Sequence, residues 1–163
     1  MDFLTGNQPQ SQLLFLLARE PQAVARIAGS YLYPSVVGRA LFYQTGDGTV
    51  IVTRLQGLPE TASGIFAMHI HSGSSCTGTE EKPFANAGAH YNPDEAEHPY
   101  HRGDLPPLMG SDGHAWGAVL TGRFTVEEVL GRTAIIHLGP DDFHTQPSGN
   151  AGDMIACGVI EPV

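Results

Sequence analysis

Between a strand-like run that ends at His71 and another that begins at Gly113, about forty residues show no hydrophobic periodicity. A compact domain rarely carries so long a stretch unless something ties it down. The stretch is rich in Gly, Pro, Asn, Asp and Ser, and its centre reads "HYNPDEAEHPYHRGD" (90–104). His90, His98, His101 and Asp104 form a candidate metal-ligand set there. Three imidazoles and a carboxylate fill a tetrahedral zinc shell by themselves. Metal ligation would hold the loop, but a shell closed this way leaves no open position for chemistry. An activity would then need a second site.

The segments around this loop read as short strands. "VARIAGSYLY" (24–33) carries β-formers before Pro34. "VVGRALFY" (36–43) and "TVIVTRLQGL" (49–58) flank the turn "TGDG" (45–48) and predict a hairpin. "GIFAMHIH" (64–71), "GHAWGAVLTGRFT" (113–125), "RTAIIHLG" (132–139) and "MIACGVI" (154–160) predict further strands. "VEEVLG" predicts one helical turn, and "PDDFHTQPSGNAG" a second long loop. With 20 glycines and 12 prolines, the pattern is that of an all-β chain of short strands joined by turns. A length of 163 residues suits one domain, and no repeat or linker divides it.

Charge excludes some partners. The net charge is −9, and the eight basic residues include a single lysine, Lys82. No basic patch for nucleic acid or anionic lipid is expected. No apolar run reaches transmembrane length. "LLFLLA" (13–18) lacks a basic start and a small-residue cleavage site, so it reads as part of a short helix over Gln10 to Arg19 rather than an export signal. A cytoplasmic location is the corresponding expectation.

A second histidine cluster offers the second site. His69 and His71 stand at i and i+2 on a predicted strand, which puts both imidazoles on one sheet face. The plain alternative is a half-buried strand whose polar face happens to carry two histidines. His137 ends another strand and, taken alone, reads as a hydrogen-bonded structural residue. His114 and His144 sit beside turn residues and are assigned to solvent or to loop hydrogen bonding. Six histidines and Asp104 are too many ligands for one four-coordinate ion. They suit two ions if one imidazole serves both through its two nitrogens. All-imidazole ligation suits zinc or copper. Cys76 and Cys157 lie far apart and outside any C-x-x-C pair, so they read either as two buried thiols or as one long-range disulfide.

The motifs "MHIHSGSSC" (68–76), "GAHYNP" (88–93), "HRGDLPPL" (101–108), "LGRTAIIH" (130–137) and "GNAGDMIACGVIE" (149–161) stand in an order that resembles the copper–zinc superoxide dismutases, nearer their bacterial branch. The resemblance implies an eight-stranded Greek-key β-barrel, flattened like a sandwich, over residues 24–163, with residues 1–23 as a helical extension. That extension would pack on the barrel or on a partner chain, and a homodimer is left open. His69, His71, His90 and His137 resemble the copper ligands. His90, the bridging residue, resembles a zinc ligand too, together with His98, His101 and Asp104. Asp141 resembles the aspartate that accepts hydrogen bonds from one histidine of each metal. Cys76 and Cys157 match the family's intrachain disulfide. The implied activity converts superoxide to dioxygen and hydrogen peroxide by a copper ion that alternates charge, with His90 as proton carrier and zinc holding the loop. One position departs from the pattern. Met154, preceded by Asp153, stands where the family carries a substrate-guiding arginine. Three readings of the departure compete: a slower dismutase, which ranks first; partial replacement of the arginine by another cation, such as Arg102 or Lys82; or a Met154 thioether that shifts the site toward holding copper with little turnover.

Overall fold

The structure, a computed structural model, describes residues 18–163. The helix read over Gln10 to Arg19 falls outside them, save its last two positions. The described strands are β1 (Ala23–Gly29), β2 (Val37–Thr45), β3 (Gly48–Gln56), β4 (Ile65–Phe66), β5 (Met68–His71), β6 (Leu108–Ser111), β7 (His114–Thr121), β8 (Thr133–His137) and β9 (Met154–Pro162). A one-turn helix, α1 (Val126–Val129), is closed by a Thr125/Glu128 capping box, as "VEEVLG" predicts.

All pairings are antiparallel, in the order β4-β6-β7-β3-β2-β1-β9-β8-β5. The two end strands of that order are consecutive in the chain, separated by Ala67 alone. "GIFAMHIH" therefore starts on one edge of the sheet and finishes on the other, and this closes the barrel. The expected single strand is split because the Ala67 backbone turns to Gly139 and His137 instead: Ala67 N–H donates to Gly139 (2.8 Å) and Ala67 C=O accepts from His137 (2.9 Å). Counting residues 65–71 as one strand recovers the expected eight; the observed count is nine. β6 has no counterpart in the sequence reading, because its four residues lie inside the non-periodic stretch.

The interior is filled by the inward half of each strand, including Phe42, Ile51, Leu55, Phe66, Ile155 and Ile160, all essentially inaccessible. On β5, Met68 and Ile70 point into this core. Strand alternation then sends His69 and His71 to the outer face. On β8, Ala134 and Ile136 face the core, while Ile135 joins a satellite cluster with Phe84, Ala87 and Cys157. A register shift between Ile136 and His137 re-aims the end of β8 beside the histidines of β5. The two long loops cover this outer face, so polar side chains there are buried without entering the barrel.

A candidate two-metal centre

Three backbone ties bring the ligand loop to β5. Ile70 N–H donates to Gly103 (2.9 Å), Tyr91 N–H donates to Ile70 (2.8 Å), and Ser72 N–H donates to Ala89 (2.8 Å). These bonds set His90 opposite His71 and Asp104 opposite His69 as isolated bridges. Gly103 permits the approach, since a Cβ there would overlap the Ile70 carbonyl. Cys76 and Cys157 form a disulfide with Cα atoms 5.6 Å apart, fastening the start of the loop to β9. The sequence left free thiols open; the structure resolves them as bonded.

His69, His71, His90, His98, His101, His137 and Asp104 are all buried, and their rings pack together. The His69 and His90 centroids lie 4.0 Å apart, and His90 and His101 5.4 Å. Two groups of four emerge: His69, His71, His90 and His137, and His90, His98, His101 and Asp104. Within each, one ligand atom per residue lies within 4.8 Å of the others. His90 belongs to both.

The nitrogen inventory tests whether metals fit. His69 Nε2 is 2.8 Å from Asp141 Oδ2, His71 Nδ1 is 2.7 Å from the Gly88 carbonyl, and His137 Nδ1 is 3.2 Å from the Gly152 carbonyl. His98 Nε2 is 2.8 Å from Asp141 Oδ1. Each of these rings thus spends one nitrogen on an oxygen acceptor, which fixes its tautomer. The remaining nitrogens, His69 Nδ1, His71 Nε2, His98 Nδ1 and His137 Nε2, are buried without a hydrogen-bond partner, and so is His90 Nε2. A buried, unsatisfied acceptor nitrogen is costly, and several converging in one place need a cation. His90 differs in that its second nitrogen also faces ligands: Nδ1 is 2.7 Å from Asp104 Oδ1 and 3.4 Å from His101 Nδ1. His98 Nδ1 and His101 Nδ1 lie 3.1 and 3.3 Å from Asp104 Oδ2. The donor sets fit one all-imidazole ion and one ion bound by three imidazoles and a carboxylate.

Electrostatics favour the binding forms of His69, His71, His137 and Asp104. Burial lowers the pKa of His71 to about 2, with repulsion from His90 adding to it despite the Gly88 hydrogen bond. Burial and the neighbouring His69 lower His137 to about 3, and burial lowers His69 as well. Neutral imidazole is the ligating form. Burial alone would raise the Asp104 and Asp141 carboxyls, but histidine partners reverse this. A hydrogen bond with His90 lowers Asp104, and bonds with His69, the Phe143 backbone and His98 hold Asp141 well below the usual carboxylate range.

A cavity of about 530 Å³ opens onto His71, His90, His101 and His137, and its wall includes Tyr33, Lys82, Phe84 and Met154. Met154 packs against the Phe84–Cys157 cluster, as a half-buried apolar side chain. Of the two stand-in cations, Lys82 lines the cavity. Arg102 does not: its guanidinium is committed to Asp94 (2.6 and 2.9 Å) and Glu128 (2.7 Å). His114 and His144 are exposed and turn to the Asp112 and Asp142 carbonyls, as expected. The backbone acceptors Gly88 and Gly152, and two polar side chains that grip the ligand loop, Gln146 and Arg123, carry no signal in the sequence. Gln146 bonds both sides of His98, accepting from its N–H (3.0 Å) and donating to its carbonyl (2.7 Å).

Fold and site define an antiparallel β-barrel protein with two adjoining metal sites that share a histidine. Residues 36–160 match the model of the copper/zinc superoxide dismutase family. The chain is 34% identical to superoxide dismutase [Cu-Zn] 2 of Aquifex aeolicus, over 77% of this chain and 79% of that one. It is 37% identical to superoxide dismutase [Cu-Zn] of Actinobacillus pleuropneumoniae, over 77% of this chain and 72% of that one. Its structure resembles the Cu/Zn superoxide dismutase from Brucella abortus, with a TM-score of 0.73 and 26% identity over 85% of this chain and 99% of that one. The chain belongs to the copper/zinc superoxide dismutase family, a family of oxidoreductases.

Proposed function

We propose that the chain converts two superoxide anions and two protons into dioxygen and hydrogen peroxide, with copper held by His69, His71, His90 and His137 and zinc by His90, His98, His101 and Asp104. The observation that carries this reading is His90, whose Nε2 is a buried orphan among the first set while Nδ1 faces the second. Copper supplies reversible one-electron exchange with superoxide, and zinc supplies a fixed charge that holds the shared ring. His90 would help to hold both metals, and its Nε2, buried beside the cavity without a hydrogen-bond partner, is the atom that would carry a proton and give it to an entering anion as a general acid. Asp141 keeps His69 and His98 turned so that their Nδ1 atoms stay available. The cavity admits the anion past Lys82, the lysine in its wall.

Guidance by charge is weaker than an arginine at position 154 would provide, so the rate falls below that of a member with a cation there. Loading the protein with copper and zinc and following superoxide decay tests the reading. Decay should be rapid for the native chain and fall to the level of adventitious protein-bound copper in His71→Ala. A native rate no higher than that control sinks it.

A further inference from the structure

The loop that carries the second ligand set is gripped from outside by a side chain that touches none of the ligand atoms. Arg123 Nη1 donates to three backbone carbonyls of that loop: Pro99 (2.8 Å), His101 (3.0 Å) and Asp104 (3.3 Å). Those carbonyls belong to the short turn between His98 and Asp104. Within it, Asp104 N–H donates to the His101 carbonyl (3.2 Å), and Asp104 Oδ2 accepts from His101 N–H (3.0 Å). One guanidinium nitrogen thus fixes the peptide planes from which two ligand side chains project. Its own position is fixed as well. Arg123 N–H donates to Thr121 Oγ1 (3.2 Å), and the next residue, Phe124, is buried in the barrel core. The Phe124 carbonyl accepts from Thr49 Oγ1 (2.9 Å). The chain from β7 to α1 is therefore a rigid base from which Arg123 reaches the loop.

We propose that Arg123 is a positioning residue for the zinc set, holding His101 and Asp104 in ligating geometry before any ion arrives. This rests on the zinc reading of His90, His98, His101 and Asp104 given above. The reason is preorganisation: a turn already closed does not lose backbone freedom when the ion binds, so the affinity is higher. The donors matter, and the aliphatic stem does not. Arg123→Met keeps the stem and removes every donor, whereas Arg123→Lys retains three donors on one nitrogen.

The test loads the full-length protein with zinc, and in parallel with Co(II), whose visible absorption bands report ligand geometry. Arg123→Met should bind zinc about 10–100-fold more weakly than the native chain, the usual cost of losing an outer partner of a metal ligand. Its Co(II) bands should shift, while Arg123→Lys keeps the native bands and most of the affinity. Equal zinc affinity and identical Co(II) bands in Arg123→Met and the native protein would overturn the proposal. A second measurement needs no variant. In the metal-free native protein, the amides of residues 100–104 should exchange slowly with solvent; free exchange there also overturns it. Failure of the native chain to bind zinc or Co(II) while those amides remain protected would instead remove the zinc reading and leave the clamp.

Discussion

Asp141 is the residue through which the two ligand sets communicate. One oxygen accepts from His69 and the other from His98, both at 2.8 Å, with all three side chains buried. Gly149 makes room for this arrangement, since a Cβ there would collide with Asp141 and His98. Asp141→Asn preserves shape but leaves one acceptor where two are needed. The amide nitrogen would oppose one ring N–H and force that imidazole into the tautomer that cannot ligate. Affinity at one of the two sets should fall about 10–100-fold, as read by competition with a chelator for copper and zinc separately. Undiminished affinity for both metals would show that tautomer control lies elsewhere. Met154 makes the opposite kind of prediction. Met154→Arg places a positive charge on the cavity wall and should raise the dismutation rate and steepen its decline with salt. The same substitution removes an apolar side chain from the Phe84–Cys157 cluster. It should therefore also lower stability by about 1 kcal/mol, measured by denaturant unfolding. A faster but less stable variant is the expected result, and an unchanged rate would assign guidance to other groups, Lys82 first.

At the scale of elements, β5 and β8 present His69, His71 and His137, and the long loops supply His90, His98, His101 and Asp104 and cover them. The disulfide joins the covering loop to β9 across a sequence separation of 81 residues. Beyond Cys76, that loop supplies Lys82 and Phe84 to the cavity wall. In the chain-entropy model, closing a loop this long stabilises the fold by about 4–5 kcal/mol. Reduction should thus lower the denaturation midpoint of the metal-free protein strongly. An unshifted midpoint in reductant would mean that backbone bonds alone secure the loop. Much of this frame was legible beforehand. The hairpin of β2 and β3, the strands β7, β8 and β9, and the turn α1 follow from local periodicity and turn residues, which a sequence displays directly. The candidate ligands could be picked out because histidine is an infrequent residue type and its spacing on strand and loop is informative. The split of residues 65–71 was not legible, since it depends on where the Ala67 backbone bonds. Nor was Arg123, whose partners are carbonyls, a group every residue carries. Arg102 showed the limit of reasoning from charge alone: as a basic residue beside a ligand it was a candidate guide, but Asp94 and Glu128 claim it.

For the whole molecule, the buried imidazoles make stability depend on pH and on metal together. In the unfolded chain a histidine protonates near pH 6.5. In the fold, His71 and His137 resist protonation until about pH 2 and 3, and His69 is shifted the same way. Below pH 6.5 the unfolded chain therefore binds more protons than the folded one, and stability falls as the pH drops. Each histidine contributes a loss of about 1 kcal/mol per pH unit in that window. Asp104 and Asp141, lowered in the fold, act in a second window: their contribution is complete above about pH 4 and is lost as the pH falls further. The metal-free protein should consequently show full stability near pH 7.5, a clear decline by pH 5, and a steeper one below pH 4. Bound metals add stability at every pH but do not remove this dependence, because ions bind only the proton-free ligands of the fold and the unfolded chain still takes up protons. Denaturant unfolding of chelated and metal-loaded protein at pH 7.5 and pH 5 checks both statements. The loaded protein should unfold at higher denaturant at each pH and lose at least as much stability between them as the chelated protein does. If the chelated protein is equally stable at the two values, the histidines are protonated in the fold at little cost, and the cluster is more open to water than its burial indicates.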